Sequence, residues 1–250
     1  MRLTEGLAEI FGMFAADGCL QEKYICLWGN ITEDRDYYND FICPLFSKVF
    51  KKKVIAHEKK SNSVYGFYVC DKDVIQIFKE AGFTKNKTYS VRVPQFILDS
   101  NNPKIYAAFI RGFTDCDGCI SFMKRKGNYK EFKKKFNTYP RISIKVTSSG
   151  IIDDVSLMLK RLNLEHTKYP IKNYKDNEKA AYQIFVRGNK RVENWMKKIG
   201  FSNPSQLTKY EIWKKFGICP SKTTIEQRKL ILQNKLNSFK LSKKGAPDRI

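Results

Sequence analysis

Two aspartates occupy the same place in two similar stretches of this sequence. Residues 10–19 read Ile-Phe-Gly-Met-Phe-Ala-Ala-Asp-Gly-Cys, and residues 110–119 read Ile-Arg-Gly-Phe-Thr-Asp-Cys-Asp-Gly-Cys. If each stretch is a helix that ends at its Asp-Gly pair, Asp17 and Asp117 lie where the helix dipole disfavours negative charge. Two such carboxylates side by side repel each other, and a divalent cation relieves the repulsion. The pattern therefore predicts a metal site built from two helix ends.

Small residues indicate how the two helices meet. Residues 5–17 and 104–117 are apolar enough to be buried helices, although a single Asp-Gly would be no more than an ordinary helix end. Each helix carries two small residues four positions apart on one face, where they let two backbones approach closely. These pairs are Gly12 with Ala16, and Gly112 with Cys116. We expect the helices to cross at Gly12 and Gly112, with Arg111 on the opposite side of its helix.

The similarity of the two stretches continues downstream as an internal repeat. Residues 30–33 align with 145–148, and residues 74–83 align with 192–201. With alternating apolar residues read as strands, each copy has the order helix, two strands, helix, two strands, helix. The predicted fold is α+β, with two pseudo-symmetric αββαββα repeats, each with an antiparallel, saddle-shaped sheet, packed through the two aspartate-bearing helices. The predicted repeats span 1–102 and 103–250, and apolar spacing over Thr223–Leu241 predicts one helix that closes the second repeat.

The net charge indicates a polyanionic partner. The chain has 47 Lys and Arg against 25 Asp and Glu, a formal charge of +22. Neutralising phosphates releases counterions, so such an excess favours nucleic acid, without choosing DNA over RNA. No apolar run approaches the roughly 20 residues that a bilayer span needs. With no signal-peptide core at the N-terminus either, we expect a soluble intracellular protein without a membrane partner.

The seven cysteines are scattered and do not form a disulfide framework. The spacing Cys116-x-x-Cys119 is compatible with zinc or redox chemistry. A second such pair is missing from the sequence, and the chain has only two histidines. Reduced, buried thiols are therefore favoured over a zinc site.

The paired motifs resemble the signature of the LAGLIDADG homing endonucleases of the single-chain, two-repeat type. The match runs over Ile10–Gly18 and Ile110–Gly118, and the downstream pattern extends it to nearly the whole chain. Departures from the motif are Phe11, Met13, Phe14 and Ala15 in the first copy, and Arg111, Thr114 and Cys116 in the second. The resemblance implies a functional monomer, with no protein partner, that cuts both strands of a long, nearly asymmetric double-stranded DNA site. It also implies Mg²⁺ as cofactor, with Ca²⁺ able to occupy the sites without supporting cleavage.

The resemblance assigns roles to individual residues. Asp17 and Asp117 would be catalytic and would bind metal, together with the backbone carbonyls of Ala16 and Cys116. Lys87 would be a catalytic lysine near the attacking water, with Lys85 as the second choice and no equivalent lysine in the second copy. Glu33 and Ser148 are candidates for positioning water. Asp115 has alanine as its counterpart and is expected to be structural.

Strand phase selects the residues that would face DNA. Polar side chains on the outer faces of the strands suit base edges or phosphates, with Arg and Lys matching guanine and Asn and Gln matching adenine. The candidates are Gln21, Lys23, Trp28, Asn30, Arg125, Arg141, Ser143, Lys145, Gln183 and Arg187.

Two other functions remain open for this sequence. The same fold could serve an RNA maturase or a non-cleaving nucleic-acid-binding protein, and the paired aspartates argue only against a degenerate binder. An intein is disfavoured, on the expectation that splicing blocks do not flank the repeats.

Overall fold

A computed structural model describes residues 2–124, 137–171 and 180–244. Its α-helices are α1 (Glu5–Asp17), α2 (Arg35–Tyr37), α3 (Cys43–Phe50), α4 (Lys72–Glu80), α5 (Gln95–Asp99), α6 (Pro103–Asp117), α7 (Ser149–Arg161), α8 (Asn189–Lys198), α9 (Pro204–Phe216), α10 (Ile225–Leu232) and α11 (Ser238–Lys244). Its strands are β1 (Gly18–Leu20), β2 (Ile25–Asn30), β3 (His57–Lys59), β4 (Val64–Val69), β5 (Gly118–Lys124), β6 (Asn137–Val146), β7 (Thr167–Ile171) and β8 (Ala181–Arg187). A π-helical turn joins α2 to α3, and 3₁₀ turns lie at Lys60–Asn62 and Lys87–Tyr89.

The strands form two four-stranded antiparallel sheets of the same topology, ordered β1-β2-β4-β3 and β5-β6-β8-β7. In each half a long helix is followed by two strands, then by helical structure, then by two more strands and further helix. The predicted fold class and element order are thereby confirmed. The boundary between residues 102 and 103 stays a prediction. None of the helices within the described ranges has the length and apolarity of a membrane span.

Strand pairing corrects the alignment of the two repeats. Gly18 pairs with Leu27 in the first sheet, and Gly118 pairs with Ile144 in the second. If the two glycines are equivalent, Leu27 corresponds to Ile144, and the predicted match of residues 30–33 with 145–148 is two residues out of register. A shift of two residues keeps the same face buried, so the alternation of apolar residues could not detect it.

The helices α1 and α6 pack against each other along their glycines. A Cβ added to Gly12 would lie 2.1 Å from the carbonyl oxygen of Phe109, and one added to Gly112 would lie 2.2 Å from that of Glu9. The two backbones are therefore in direct contact at both glycines. On its other side α1 packs on α4, where the Phe14 ring lies 4.4 Å from that of Phe78.

Arg111 lies at this helix contact, and the prediction that it faces away was wrong. Its guanidinium donates to both carboxylate oxygens of Glu9 on α1, with N···O distances of 2.7 and 2.5 Å. Glu9 is almost fully buried and also accepts from the Ser202 hydroxyl. The sequence did not predict this ion pair, because Glu9 is a single polar residue within an otherwise apolar, buried helix.

The C-terminal segment is broken where the sequence predicted one helix over Thr223–Leu241. The helix α10 ends at Leu232, and Asn234 follows with a positive φ of 60°, so α11 starts separately. An asparagine in this left-handed conformation is a common way to end a helix. Buried Arg228 of α10 reaches into the first half, where it donates to Glu33 at 2.7 Å.

We predict that alanine at Gly12 or Gly112 destabilises the protein, because its methyl group would clash with backbone of the facing helix. Overpacking of this kind costs about 1–3 kcal/mol, or roughly 2–10 °C in Tm for a chain of this size. Gly6→Ala on the same helix is the matched control, since a Cβ there would meet only side chains at 3.1 and 3.2 Å. Equal Tm values for all three variants in a thermal melt would contradict the backbone contact.

We also predict that Arg111→Ala is strongly destabilising, because it leaves the Glu9 carboxylate buried without its ion pair. Breaking a buried pair costs about 3–5 kcal/mol, whereas removing both charges together costs less. Denaturant unfolding of Arg111→Ala, of the double variant Glu9→Gln/Arg111→Met and of Arg191→Ala would test this. Arg191 pairs with Glu165 on the surface and should matter little. A single variant no less stable than the double variant would rule out the buried pair.

Candidate active site

Asp17 and Asp117 are the last residues of α1 and α6, and each precedes a glycine that begins a strand. Both carboxylates are open to solvent, yet protein atoms surround them on most sides. This poor hydration, with the negative charges of Asp117 and Asp34, raises the pKa of Asp17 to about 7. Poor hydration raises the pKa of Asp117 to about 6, and the positive charge of Lys87 opposes that rise. The fold thus brings two carboxylates together at an electrostatic cost.

Lys87 is buried beside the two carboxylates. Its ammonium donates to the backbone carbonyls of Ala15 at 2.7 Å and Ala16 at 3.3 Å, which are the last turn of α1. Asn86 has a positive φ of 61° and turns the chain into the 3₁₀ turn that points Lys87 inward, while Lys85 stays exposed. Burial lowers the pKa of Lys87, and the charges of Asp117 and Asp17 raise it. Of the two lysines considered from sequence, the structure brings Lys87 to the aspartates.

Two residues that the sequence did not single out complete the centre. Asp34 follows Glu33 in the chain and adds negative charge beside Asp17. Its carboxylate accepts the backbone N–H of Asn30 at 2.8 Å and the side-chain amide of Asn203 at 3.1 Å. Asn203 is buried, and its amide also donates to the backbone carbonyl of Asp115 at 3.2 Å. Asp34 directly precedes α2 without capping it through its side chain, so its position in the sequence gave no signal for this place in the centre.

Glu33 and Ser148, the two candidates for positioning water, are both hydrogen-bonded to protein groups. The Glu33 carboxylate accepts from Arg228, Ser205 and the backbone N–H of Ile225. The Ser148 hydroxyl is buried, donates to the carbonyl of Val91 and accepts from the first turn of α7. These contacts do not favour a water-positioning role for either residue.

Asp115 has the structural surroundings expected for it. Its side chain is buried beneath the centre and accepts the backbone N–H of Ser202 at 2.7 Å. Desolvation raises the pKa of Asp115 to about 8. One of its carboxylate oxygens has no hydrogen-bond partner in the part of the chain that is described.

Burial disfavours zinc or redox chemistry at Cys116 of the second motif. All seven cysteines are free thiols, and burial raises the pKa of Cys116 well above its ordinary value. A thiol that resists ionisation is a poor nucleophile and a poor zinc ligand. The Cys116 side chain lies at the end of α6 and is hydrogen-bonded to Asp17.

The donor set at the two helix ends fits a hard divalent cation. The described residues contain no cluster of three or more His, Cys, Asp or Glu side chains that could hold a metal by themselves. Mg²⁺ commonly takes only one or two carboxylates and completes its shell with water and substrate phosphates. Asp17, Asp117 and the carbonyls of Ala16 and Cys116 are oxygen donors of this kind, and mutual repulsion of the carboxylates favours a cation between them.

Comparison with known proteins finds a similar domain and a similar fold. Residues 104–200 match the family model of the LAGLIDADG-like domain. The I-LtrWI LAGLIDADG homing endonuclease bound to target DNA has a similar fold over 98% of this chain and 99% of its own, with 16% identity and a TM-score of 0.53. The chain has a LAGLIDADG-like domain and the LAGLIDADG homing endonuclease fold. That fold is shared by a variant of I-SmaMI, with 10% identity and a TM-score of 0.53 over 94% of this chain and 92% of its own. It is also shared by variants of I-DmoI, with 15% identity and a TM-score of 0.51 over 78% of this chain and 90% of their own.

Curated proteins match this chain over only a small part of their own length. The replication factor C small subunit of Methanocaldococcus jannaschii is 25% identical over 206 residues, which are 82% of this chain and 10% of that protein. The probable translation initiation factor IF-2 of the same organism is 28% identical over 120 residues, which are 48% of this chain and 9% of that protein. The chain therefore spans about a tenth of the length of these relatives.

On the outer face of the second sheet, two arginine side chains lie over one aromatic ring. Arg141 and Arg187 are cross-strand partners, and their guanidinium carbons lie 4.8 and 4.1 Å from the ring centre of Phe185. Lys145 is exposed opposite Gln183, and Ser143 is partly exposed. The predicted DNA-facing residues of this half thus share one face, and the sequence missed Phe185, which packs beneath the arginines.

The first sheet presents a more neutral face. The Trp28 ring lies 5.2 Å from that of His57, and Gln21 donates to the Cys19 thiol at 3.1 Å. Asn30 caps the following turn by accepting the N–H groups of Thr32 and Glu33. Lys23 is exposed in the β1–β2 turn, and Arg125 lies outside the described residues.

We predict that Asp17→Asn raises the Tm of the metal-free protein at alkaline pH. The folded pKa of Asp17, about 7, lies above its ordinary value of 3.8. Ionisation therefore destabilises the fold, with a penalty that is absent below the lower pKa, grows between the two and is complete above pH 7. The Tm gain should appear near pH 8, vanish near pH 4, and shrink when Mg²⁺ stabilises the wild type. A pH-independent difference, or the same gain in the exposed control Asp73→Asn, would contradict the repulsion.

Proposed function

We propose that this chain is a site-specific DNA endonuclease of the homing endonuclease type, which hydrolyses phosphodiesters in both strands of a long double-stranded site with Mg²⁺. The observation that carries the proposal is the pair of carboxylates at the ends of two helices in backbone contact, with the Lys87 ammonium held beside them by two carbonyls. A protein that only binds nucleic acid gains nothing from this arrangement. The same observation favours cleavage over the maturase and the non-cleaving binder.

The substrate follows from charge and from relatives. A net charge of +22 suits a partner with many phosphates, and the outer face of the second sheet carries Arg141, Lys145 and Arg187. I-LtrWI is bound to target DNA, and a variant of I-DmoI, with a TM-score of 0.50, is in complex with its target DNA in the presence of manganese. We therefore assign double-stranded DNA as substrate and a single chain as the functional unit.

Different residues of the centre would bind the cation and stabilise the phosphate. The packing of α1 on α6 fixes Asp17 and Asp117, which would hold the cation with the carbonyls of Ala16 and Cys116. When bound, Mg²⁺ supplies charge neutralisation at the phosphate and makes water a better nucleophile. Lys87, whose ammonium already donates to two carbonyls, would donate a hydrogen bond from its third N–H to a phosphate oxygen, and its positive charge would offset the negative charge that develops there.

Asp17→Asn and Asp117→Asn should each abolish double-strand cleavage and leave DNA binding largely intact, because the binding surfaces lie on the sheets. We expect a rate loss of at least about 100-fold. The assay is cleavage of a randomised DNA library with Mg²⁺, followed by kinetics on the selected site, with Asp73→Asn as an exposed control and chelator as a second.

The second part of this test measures the DNA affinity of the same variants as a function of salt concentration. The binding constant should fall with salt, with a log–log slope of about −0.9 for each phosphate contacted. Unimpaired double-strand cutting by either asparagine variant would refute the proposal, and a salt-independent affinity would refute the use of the charge excess on DNA.

A further inference from the structure

Four aromatic side chains form a continuous row across the outer face of the first sheet. The ring centres of Tyr24 and Tyr68 lie 6.4 Å apart, and those of Tyr68 and His57 lie 5.7 Å apart. The rings of His57 and Trp28 follow at 5.2 Å. Every neighbouring pair meets edge to face, a geometry that aromatic rings prefer. We call these four side chains the aromatic row.

Strand pairing places the row on this face. Trp28 of β2 and His57 of β3 both pair with Gly66 of β4, so their rings meet above a residue that has no side chain. A Cβ at Gly66 would lie 2.1 Å from the carbonyl oxygen of Leu27, so only glycine fits there. Tyr68 lies two residues after Gly66 and therefore on the same face of the sheet. Most of the row is thus fixed by the backbone of three strands.

The row is exposed to solvent, although the opposite face of the sheet is packed. The exposed fraction is 56% for Tyr68 and 39% for Tyr24, and His57 is exposed as well. Phe67, the neighbour of Tyr68 in β4, points the other way and is buried. Cross-strand contacts between rings stabilise a sheet, but they do not require the outer edges of the rings to stay in water. A contiguous exposed aromatic surface of this kind indicates a binding site.

The row leads to the candidate active site. Trp28 lies two residues before Asn30, the last residue of β2. The backbone N–H of Asn30 donates to the Asp34 carboxylate at 2.8 Å, and Asp34 adds negative charge beside Asp17. Tyr24 lies at the other end of the row, in the turn that joins β1 to β2. A duplex with a phosphate at Asp17 would therefore meet Trp28 close to the cut and Tyr24 farther from it.

The two sheets offer different chemistry to such a duplex. On the second sheet, Arg141 and Arg187 lie over the ring of Phe185 and present cations, which suit the acceptors of guanine. The tyrosine and tryptophan rings of the aromatic row present apolar edges instead. The apolar group that bases expose in the major groove is the C5 methyl group of thymine.

We propose that the aromatic row selects thymine in the half of the DNA site that the first repeat binds, by apolar contact between its rings and the thymine methyl groups. The inference rests on double-stranded DNA as the proposed substrate and does not depend on cleavage. Trp28 and His57 would contact thymines near the cut, and Tyr68 and Tyr24 would contact thymines farther out. The two halves of the site then differ in the groups they must present, methyl groups in one and guanine acceptors in the other.

Base analogues test the contact one chemical group at a time. A duplex is selected by binding from a randomised library, and each thymine of the selected site is replaced in turn by deoxyuridine, which lacks only the methyl group. The dissociation constant should rise roughly fourfold for each methyl group contacted, the scale of one buried methyl group. The rise should be confined to one half of the site. In the other half, 7-deazaguanine should weaken binding, because it lacks an acceptor that arginine uses.

Variants of the row assign the contacts to its members. Tyr68→Ala should bind the thymine and deoxyuridine duplexes equally at the outer positions and keep the difference near the cut, and Trp28→Ala should show the reverse. Tyr68→Phe keeps the ring and should keep the whole difference. An equal loss in the phenylalanine and alanine variants would point to the hydroxyl group and refute the apolar contact. Leu157→Ala, at an exposed apolar residue of α7, is the control and should leave every ratio of affinities unchanged.

The outcomes separate this inference from the endonuclease proposal. If the protein cuts the selected duplex while deoxyuridine binds as well as thymine in both halves, or if the selected site lacks thymine, the thymine contact is refuted and the endonuclease stands. If deoxyuridine weakens binding in one half and no cleavage follows with Mg²⁺, the thymine contact stands and the endonuclease fails.

Discussion

The backbone contact between α1 and α6 at Gly12 and Gly112 is the constraint on which the other features depend. Because no Cβ fits at either crossing point, the two helices lie closer than side chains would allow. Their C-terminal ends then lie together, and with them Asp17 and Asp117. The helix dipoles and the mutual repulsion of the carboxylates make this an unfavourable place for negative charge, and a bound cation would relieve that cost.

Contacts between the halves keep this arrangement in place. Arg111 and Glu9 form an ion pair along the helix contact. After Lys87 the chain continues to Arg92, which donates to Asp154 on α7 of the second half, and α10 returns Arg228 to Glu33 of the first. Each repeat thus sends its final segment to the other, and the spacing of the two aspartates is tied to both sheets.

The sequence predicted the parts that depend on periodicity and on motif, and missed those that depend on tertiary contact. Apolar spacing was enough for α1, α6 and the strands, and the glycine spacing was enough for the helix crossing. The two-residue shift in repeat alignment escaped, because alternation is blind to it. Asp34, Asn203 and the Glu9–Arg111 pair escaped because their partners lie more than 80 residues away in sequence. The resemblance ranked Lys87 ahead of Lys85, and the physical reason, the conformation of Asn86 that turns Lys87 inward, was visible only in the structure.

A crystal structure with the selected DNA and Mn²⁺, with the metal located by its anomalous scattering, tests the central claim most directly. We expect metal within about 2.0–2.6 Å of carboxylate oxygens of Asp17 and Asp117 and of oxygens of the phosphates to be cut. Metal bound elsewhere, or phosphates remote from both aspartates, would contradict it.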